Sequence, residues 1–269
     1  MITSRTGAAI ALSATLVFSA PASAGGFGDF GDLELRAGGV VFVAPKYEGS
    51  DEYEVLGFPM IAPSGSGFGD DGVVQFRGPD DLRFRVLNFS GFEAGPLVGY
   101  RFDREEDDAD RLEGLGDVDG GVVLGGYAAY RLGFVKPFVS YNHAVSGDET
   151  GGLLKFGAES VAPVWHGVTA KVAAGATYAD DDYMNAFFSV TPAQSANSAA
   201  GLGVYDAEAG IKDVFVGFSS DVPLSERWTL MLMGRYAHLV GDAAESPIVE
   251  SDSQFMAGVG LTYRFGFGR

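Results

Sequence analysis

Alternation of apolar and small or polar residues dominates the end of the chain. From Phe255 to Phe267 every second residue is apolar or aromatic, and the residues between them are mostly small, with one arginine. This period of two outlasts an ordinary strand, which has about 5–6 residues. A strand that crosses a bilayer needs about 9–11 residues and turns one face toward lipid. Residues 253–267 are therefore predicted to form a membrane-spanning strand.

The same alternation recurs along the chain and predicts about twelve strands. Long polar connections, residues 103–117, 178–203 and 240–252, alternate with short ones such as 88–91, 132–133 and 163–166. Long external loops and short periplasmic turns are typical of outer-membrane barrels, and closure removes unpaired strand edges. The predicted fold is all-β: a transmembrane antiparallel up-and-down β-barrel of about 12 strands over residues 25–269. A soluble periplasmic barrel or sandwich is the alternative.

The first 24 residues have the pattern of a signal peptide. Arg5 precedes an apolar stretch, residues 8–18, and Ala22-Ser23-Ala24 forms a cleavage site. After it, no apolar run approaches the roughly 18 residues of a transmembrane helix. The predicted location is the outer membrane of a Gram-negative cell, with outer-membrane lipid as the first partner.

Composition narrows the possible functions. The formal net charge is −18, which excludes nucleic acid as a natural partner because a binder needs a basic face. The absence of cysteine excludes disulfides and thiolate metal sites. The 40 glycines, roughly twice the usual ~7%, lie within alternating segments and indicate closely packed β-structure.

Several charged residues alternate with apolar neighbours and are predicted to face the lumen. Charges in a narrow interior need partners, and Glu93 and Glu208 are candidate partners. The favoured interpretation is an ion-paired plug that fills the barrel. A pore lining or a site for an anionic solute is the alternative, because about twelve strands leave the openness of the lumen undecided. The candidates are Arg83, Arg85, Glu93, Arg101, Arg235 and Arg264.

The three histidines do not predict an active site. Successive residues on a strand face opposite sides, so His143 points away from Ser140 and Asn142. His166 lies at a periplasmic turn. His238, near the outer end of its strand, is the only plausible catalytic histidine, and an interfacial position without catalysis is the favoured interpretation. The protein is predicted not to be an enzyme.

Residues 103–110 and 180–182 form two carboxylate clusters, and carboxylate oxygens are ligands that hard cations such as Ca²⁺ or Mg²⁺ prefer. Neither has the ligand spacing or central glycine of an EF-hand loop. They are predicted to be solvated acidic loops, and no metal site or cofactor is predicted.

Two loop motifs stand out, one between the first two predicted strands and one in the last long connection. They contain Pro45, Tyr47, Gly49 and Ser50, and then Gly241, Asp242, Ser246 and Pro247. These motifs resemble those of the MipA/OmpV family of MltA-interacting outer-membrane proteins. Residues 191–195 and 260–265 extend the resemblance over nearly all of the mature chain, although four residues, 266–269, follow the expected terminal aromatic.

The resemblance implies an outer-membrane barrel without enzymatic activity. Its implied role is a scaffold that holds a murein lytic transglycosylase together with a penicillin-binding protein. Since other members resemble porins, a narrow channel for small solutes is the alternative. A barrel hydrolase or lipid-modifying enzyme is the second alternative.

Overall fold

The computed structural model describes residues 34–64, 72–148, 150–165 and 168–265. The predicted signal peptide, His166 and the four residues after Phe265 lie outside these ranges. The described residues contain thirteen strands: β1 (Glu34–Pro45), β2 (Tyr53–Ser64), β3 (Val74–Gly78), β4 (Asp81–Phe84), β5 (Leu87–Phe89), β6 (Phe92–Arg101), β7 (Gly121–Tyr130), β8 (Lys136–Ala144), β9 (Gly152–Trp165), β10 (Val168–Ala179), β11 (Gly210–Pro223), β12 (Trp228–Leu239) and β13 (Ser253–Phe265).

The strands form one antiparallel meander, in the order β2-β1-β13-β12-β11-β10-β9-β8-β7-β6-β4-β3. β4 and β5 both pair with β6, at Leu82–Val98 and Leu87–Ala94, so they occupy one position as a single interrupted strand. Pairing of the first strand with the last is the arrangement of an up-and-down barrel. The prediction of a transmembrane barrel with about twelve strands is confirmed.

Register assigns the two faces of the barrel wall. Val41 lies opposite Val259, and Leu232 lies opposite Val259 from the other side. All three are exposed, although they are large and apolar. In a bilayer this face contacts lipid, and the intervening residues face the lumen.

Three short helices lie at one end of the barrel: α1 (Asp181–Phe188), α2 (Pro192–Asn197) and α3 (Gly241–Glu245). None of the described helices is long and apolar enough to cross a membrane. Because outer-membrane barrels carry their long loops outside the cell, we assign this end as extracellular. Residues 204–209 also belong to this end, and β11 starts at Gly210.

Candidate functional site: the charged lumen and the extracellular cap

Cross-lumen ion pairs occupy one side of the barrel interior. Arg77 Nη2 lies 3.1 Å from Glu159 Oε1, and Lys136 Nζ lies 2.7 Å from the same oxygen. Lys136 Nζ also contacts Glu93 Oε1 at 3.1 Å, and Arg85 Nη1 lies 3.8 Å from Glu93 Oε2. These five residues form the central ion network. Both of its carboxylates are almost inaccessible to solvent, and each of them is compensated by protein cations.

Arg83 pairs within its own hairpin. Its Nε and Nη2 atoms donate to the two carboxylate oxygens of Asp81, at 2.7 and 2.8 Å. The guanidinium also stacks on aromatic rings, 4.8 Å from the centroid of Tyr127 and 5.5 Å from that of Phe138. A buried bidentate pair of this kind fixes a side chain in one orientation.

Arg101 lies at the extracellular end of β6 and binds loop backbone. Its Nη1 donates to the carbonyl oxygens of Thr150 and Gly151, at 2.5 and 3.0 Å, and its Nη2 donates to Asn142 Oδ1 at 3.1 Å. The guanidinium carbon lies 4.9 Å from the ring centroid of Tyr183 in α1. Arg101 therefore connects the barrel wall to the loops above it.

A second buried ion cluster surrounds Asp213. Arg235 Nη2 lies 3.4 Å and Lys212 Nζ 2.8 Å from its carboxylate, and Lys212 also contacts the Glu48 carboxylate. Tyr178 pairs with Ile211 and Thr177 with Asp213, so Lys212 is an extra residue in a β-bulge. The bulge turns two successive side chains inward, which simple alternation does not predict.

Arg264 faces another cation across the sheet. It lies opposite Arg36 in the β1–β13 register, and its Nη2 donates to the Glu226 carbonyl at 2.5 Å. Glu208, in contrast, lies in the loop before β11 and is exposed. It is therefore not a lumen partner for any arginine.

The extracellular loops pack together into a cap, formed by residues 46–52, 103–119, 180–209 and 240–252. Leu112, Phe188 and Ile248 are completely buried and belong to two apolar clusters within the cap. A hydrophobic interior in loops is the mark of a folded unit and not of independent strand connections.

The two acidic segments contribute to this cap, and most of their carboxylates are exposed. Ala109 in the first segment is buried, as are Leu112, Leu115 and Val118 just after it, and the acidic residues between them point outward. In the second, Asp180 caps α1 by accepting a hydrogen bond from Tyr183 N at 3.0 Å. The spacing of three residues between Ala109, Leu112, Leu115 and Val118 is the sequence signal of this buried row.

The two motif loops meet within the cap. Tyr47 Oη donates to the Ile248 carbonyl at 3.1 Å and to Glu250 Oε2 at 2.9 Å. Burial and the Glu250 carboxylate raise the pKa of Tyr47 above its ordinary value. Arg111 Nε donates to the Pro247 carbonyl at 3.1 Å, and Ser246 Oγ donates to the Phe188 carbonyl at 2.6 Å.

Backbone geometry explains two of the motif positions. Gly49 has a φ of +102°, and a Cβ there would lie 2.6 Å from Val249 Cγ2. Gly241, at the start of α3, has a φ of +57°. The neighbouring Asp242 accepts a hydrogen bond from Glu208 N at 2.9 Å. Pro45 ends β1, and Ser50 is completely buried. These motif residues hold the cap together.

The two described histidines lie on the outer surface. His143 Nδ1 is 3.8 Å from Asp180 Oδ2, and His238 Nδ1 is 3.7 Å from Asp252 Oδ1. Ser253 lies opposite His238 in the β12–β13 register, but its Oγ donates to Asp252 at 3.0 Å. Among the described residues, no hydrogen bond joins Ser253 Oγ to the His238 ring, the contact by which a histidine activates a serine.

Comparisons with known proteins agree with this architecture. The family model described as MltA-interacting protein MipA matches residues 37–265. The chain is 27% identical over 181 residues to outer membrane protein OmpV of Vibrio cholerae and 26% identical over 188 residues to Omp26La of Vibrio anguillarum. Each alignment covers 67% of this chain and 66% of the relative, so the match spans slightly less than two thirds of either relative.

Solved structures similar to this chain include outer-membrane barrels. An outer-membrane channel of Pseudomonas putida F1 matches 87% of this chain and 96% of its own, with 9% identity and a TM-score of 0.41. OprD of Pseudomonas aeruginosa matches 91% of this chain and 97% of its own, with 10% identity and a TM-score of 0.35.

Proposed function

Because the chain belongs to the family of MltA-interacting protein MipA, we propose that this outer-membrane barrel is a non-enzymatic scaffold for murein-processing enzymes. Its partners are a lytic transglycosylase and, through the same assembly, a penicillin-binding protein. The family's description supports the first partner, and the role that the family resemblance implies supports the second.

One structural observation favours a scaffold over a channel for polar solutes. Arg77 and Glu159 meet across the lumen in a buried pair, and the cap lies over the extracellular end of the barrel. A conducting pore requires solvated, mobile charges along its lining, whereas the two lumen carboxylates of the network are buried and paired with protein cations. The acidic exterior of the cap also opposes the entry of anions.

Murein enzymes act in the periplasm, so a scaffold must bind them with its periplasmic rim. Phe134 lies in the tight β7–β8 turn at that rim and is 80% exposed. Exposed aromatic residues are frequent anchors of protein interfaces. We place part of the docking surface at this turn.

Binding of the purified protein to a purified MltA-type lytic transglycosylase tests this function. The scaffold predicts a stable complex, weakened at least tenfold by Phe134→Ser. Phe102→Ser is the matched control. This exposed phenylalanine directly follows β6 at the extracellular end of the barrel, so its substitution should leave binding unchanged. Absence of a complex, or equal loss in both variants, contradicts the proposed docking.

Planar-bilayer recording distinguishes the scaffold from a channel. The purified protein is expected to show no steady conductance. Reproducible single-channel steps, with an ion selectivity that shifts in Arg101→Ala, would make the narrow channel the better account.

A further inference from the structure

The lumen has a second, chemically different side. The middle parts of strands β12, β13, β1 and β2 turn apolar or small residues inward, whereas the strands around the central ion network turn charged residues inward. In the register, Val40 lies between Gly260 and Phe58, and Phe42 lies between Gly258 and Leu56. Met231 and Met233 lie opposite the same two glycines from β12. These six side chains, Val40, Phe42, Leu56, Phe58, Met231 and Met233, form the apolar wall.

Contacts place the members of this wall on one surface. A Cβ on Gly258 would lie 2.5 Å from the Phe42 ring and 3.0 Å from Met233 Cγ, so both side chains lean over that glycine. The ring centroids of Phe42 and Phe58 are 6.4 Å apart. The opposite face of the same strands carries the lipid-facing residues Val41 and Val259.

The apolar wall is less tightly packed than the charged side. Phe58 faces inward but is 42% exposed, and the other five side chains are only partly buried. In contrast, Glu159 is 3% exposed. An accessible apolar surface inside a barrel is costly in contact with water and is typical of a binding compartment.

Two arginines terminate this wall at its periplasmic end. Arg36 and Arg264 are directly opposite each other across β1 and β13, on the inward face. Like charges in this position destabilise a sheet. Among the described residues, no acceptor lies within hydrogen-bonding distance of the buried Arg36 Nε. Arg36 therefore offers a buried, unused donor to an anionic group, beside the guanidinium of Arg264.

The wall also ends at an open strand edge. Within the described residues β2 pairs only with β1. Phe58 O points toward β1, near Gly39, so the odd-numbered residues of β2 turn their backbone groups to the free edge. Pro59 and Pro63 lack the donor there, which disfavours the addition of another strand. Ile61 is 73% exposed, compared with 47% for Val41 on the neighbouring strand.

We propose that this side of the lumen binds one single-chain anionic amphiphile, a long-chain fatty acid. The carboxylate lies between Arg36 and Arg264, and the alkyl chain follows the apolar wall toward Phe42. Phe42 follows Arg36 by six positions along β1, a distance of about 20 Å at ~3.3 Å per residue, which matches a long alkyl chain. Methionines adapt their shape to such a chain, and the free edge of β2 provides access from the membrane.

Titration of the full mature protein in a short-chain non-ionic detergent tests the proposal. Tritiated palmitate is expected to bind saturably, with one molecule per barrel, and at least tenfold more tightly than tritiated hexadecanol, which lacks the charge. Arg36→Gln lowers palmitate affinity at least tenfold and leaves hexadecanol binding unchanged, whereas Phe58→Asn weakens both. Arg36→Lys retains most of the palmitate affinity.

Arg227→Gln is the matched control, because this exposed arginine lies in a periplasmic turn and bonds Tyr263. It should bind palmitate normally. Heat-dependent gel migration establishes that every variant is folded. Absence of saturable binding by the wild-type protein, or undiminished palmitate affinity in folded Arg36→Gln, overturns the proposal.

Discussion

Arg77 and Glu159 lie on strands with four other strands between them in the sheet, yet Arg77 Nη2 is 3.1 Å from Glu159 Oε1 across the lumen. Glu159 also lies 2.7 Å from Lys136 Nζ and 3.7 Å from Lys171 Nζ. One carboxylate thus joins β3, β8 and β10 through a space that an open pore would leave to water.

Glu159→Gln should therefore destabilise the barrel. The change removes the carboxylate shared by Arg77, Lys136 and Lys171, and disruption of a buried ion pair costs about 3–5 kcal/mol. Denaturant unfolding of the detergent-solubilised barrel measures the loss. Glu52→Gln, which breaks the more exposed Lys46–Glu52 pair, is the control and should cost less than about 1 kcal/mol. Equal effects in the two variants would refute a filled, ion-paired lumen.

Leu112→Ala should loosen the cap and leave the barrel intact. Removal of a completely buried leucine side chain typically costs about 2–5 kcal/mol. Trypsin cleavage after Arg111 should accelerate, and heat-dependent gel migration of the barrel should not change. Val204→Ala, at an exposed position of the cap, is the control. Unchanged cleavage in Leu112→Ala would mean that the loops do not share a core.

Asp80 should make stability depend on acid pH. It lies in the β3–β4 turn near the extracellular strand ends. Burial alone would raise its pKa, but the Lys155 ammonium, 2.5 Å away, lowers the pKa of Asp80 to about 2. Since the unfolded value is about 3.9, this contribution is present above about pH 4 and is lost as the pH falls toward 2.

The comparison of wild type with Asp80→Asn isolates that contribution. Their difference in unfolding free energy should be largest near neutral pH and should shrink between about pH 4 and pH 2. Asp107→Asn, at an exposed position of the cap, should differ little from wild type throughout. A difference for Asp80→Asn that does not vary with pH would contradict the lowered pKa.

His238→Ala and Ser253→Ala should leave function unchanged. Both side chains lie outside the lumen, and Ser253 Oγ bonds Asp252. Neither substitution should alter binding of the lytic transglycosylase. Purified wild-type protein should not hydrolyse phospholipid or lipase substrates. A hydrolase activity abolished by each substitution alone would show that the protein is an enzyme.

Alternation alone was sufficient to predict the barrel. Because one face of every strand contacts lipid, every second residue must be apolar, and this period of two is visible in the local sequence, as in β13. The same pattern assigned Arg83, Glu93 and Arg101 to the inner face, and all three are buried. Family motifs identified the loops around Tyr47 and Ser246. They did not predict that these two loops contact each other.

Tertiary structure decided which charges meet. Arg77 was not among the sequence candidates, and its contact with Glu159 depends on barrel diameter and strand tilt, which no local pattern encodes. Lys212 and Asp213 face inward together only because a bulge interrupts the register. The cap depends on loops that are distant in sequence, so its core could not be inferred from any one of them. Local periodicity therefore determined the wall of this protein, whereas long-range packing determined what fills and covers it.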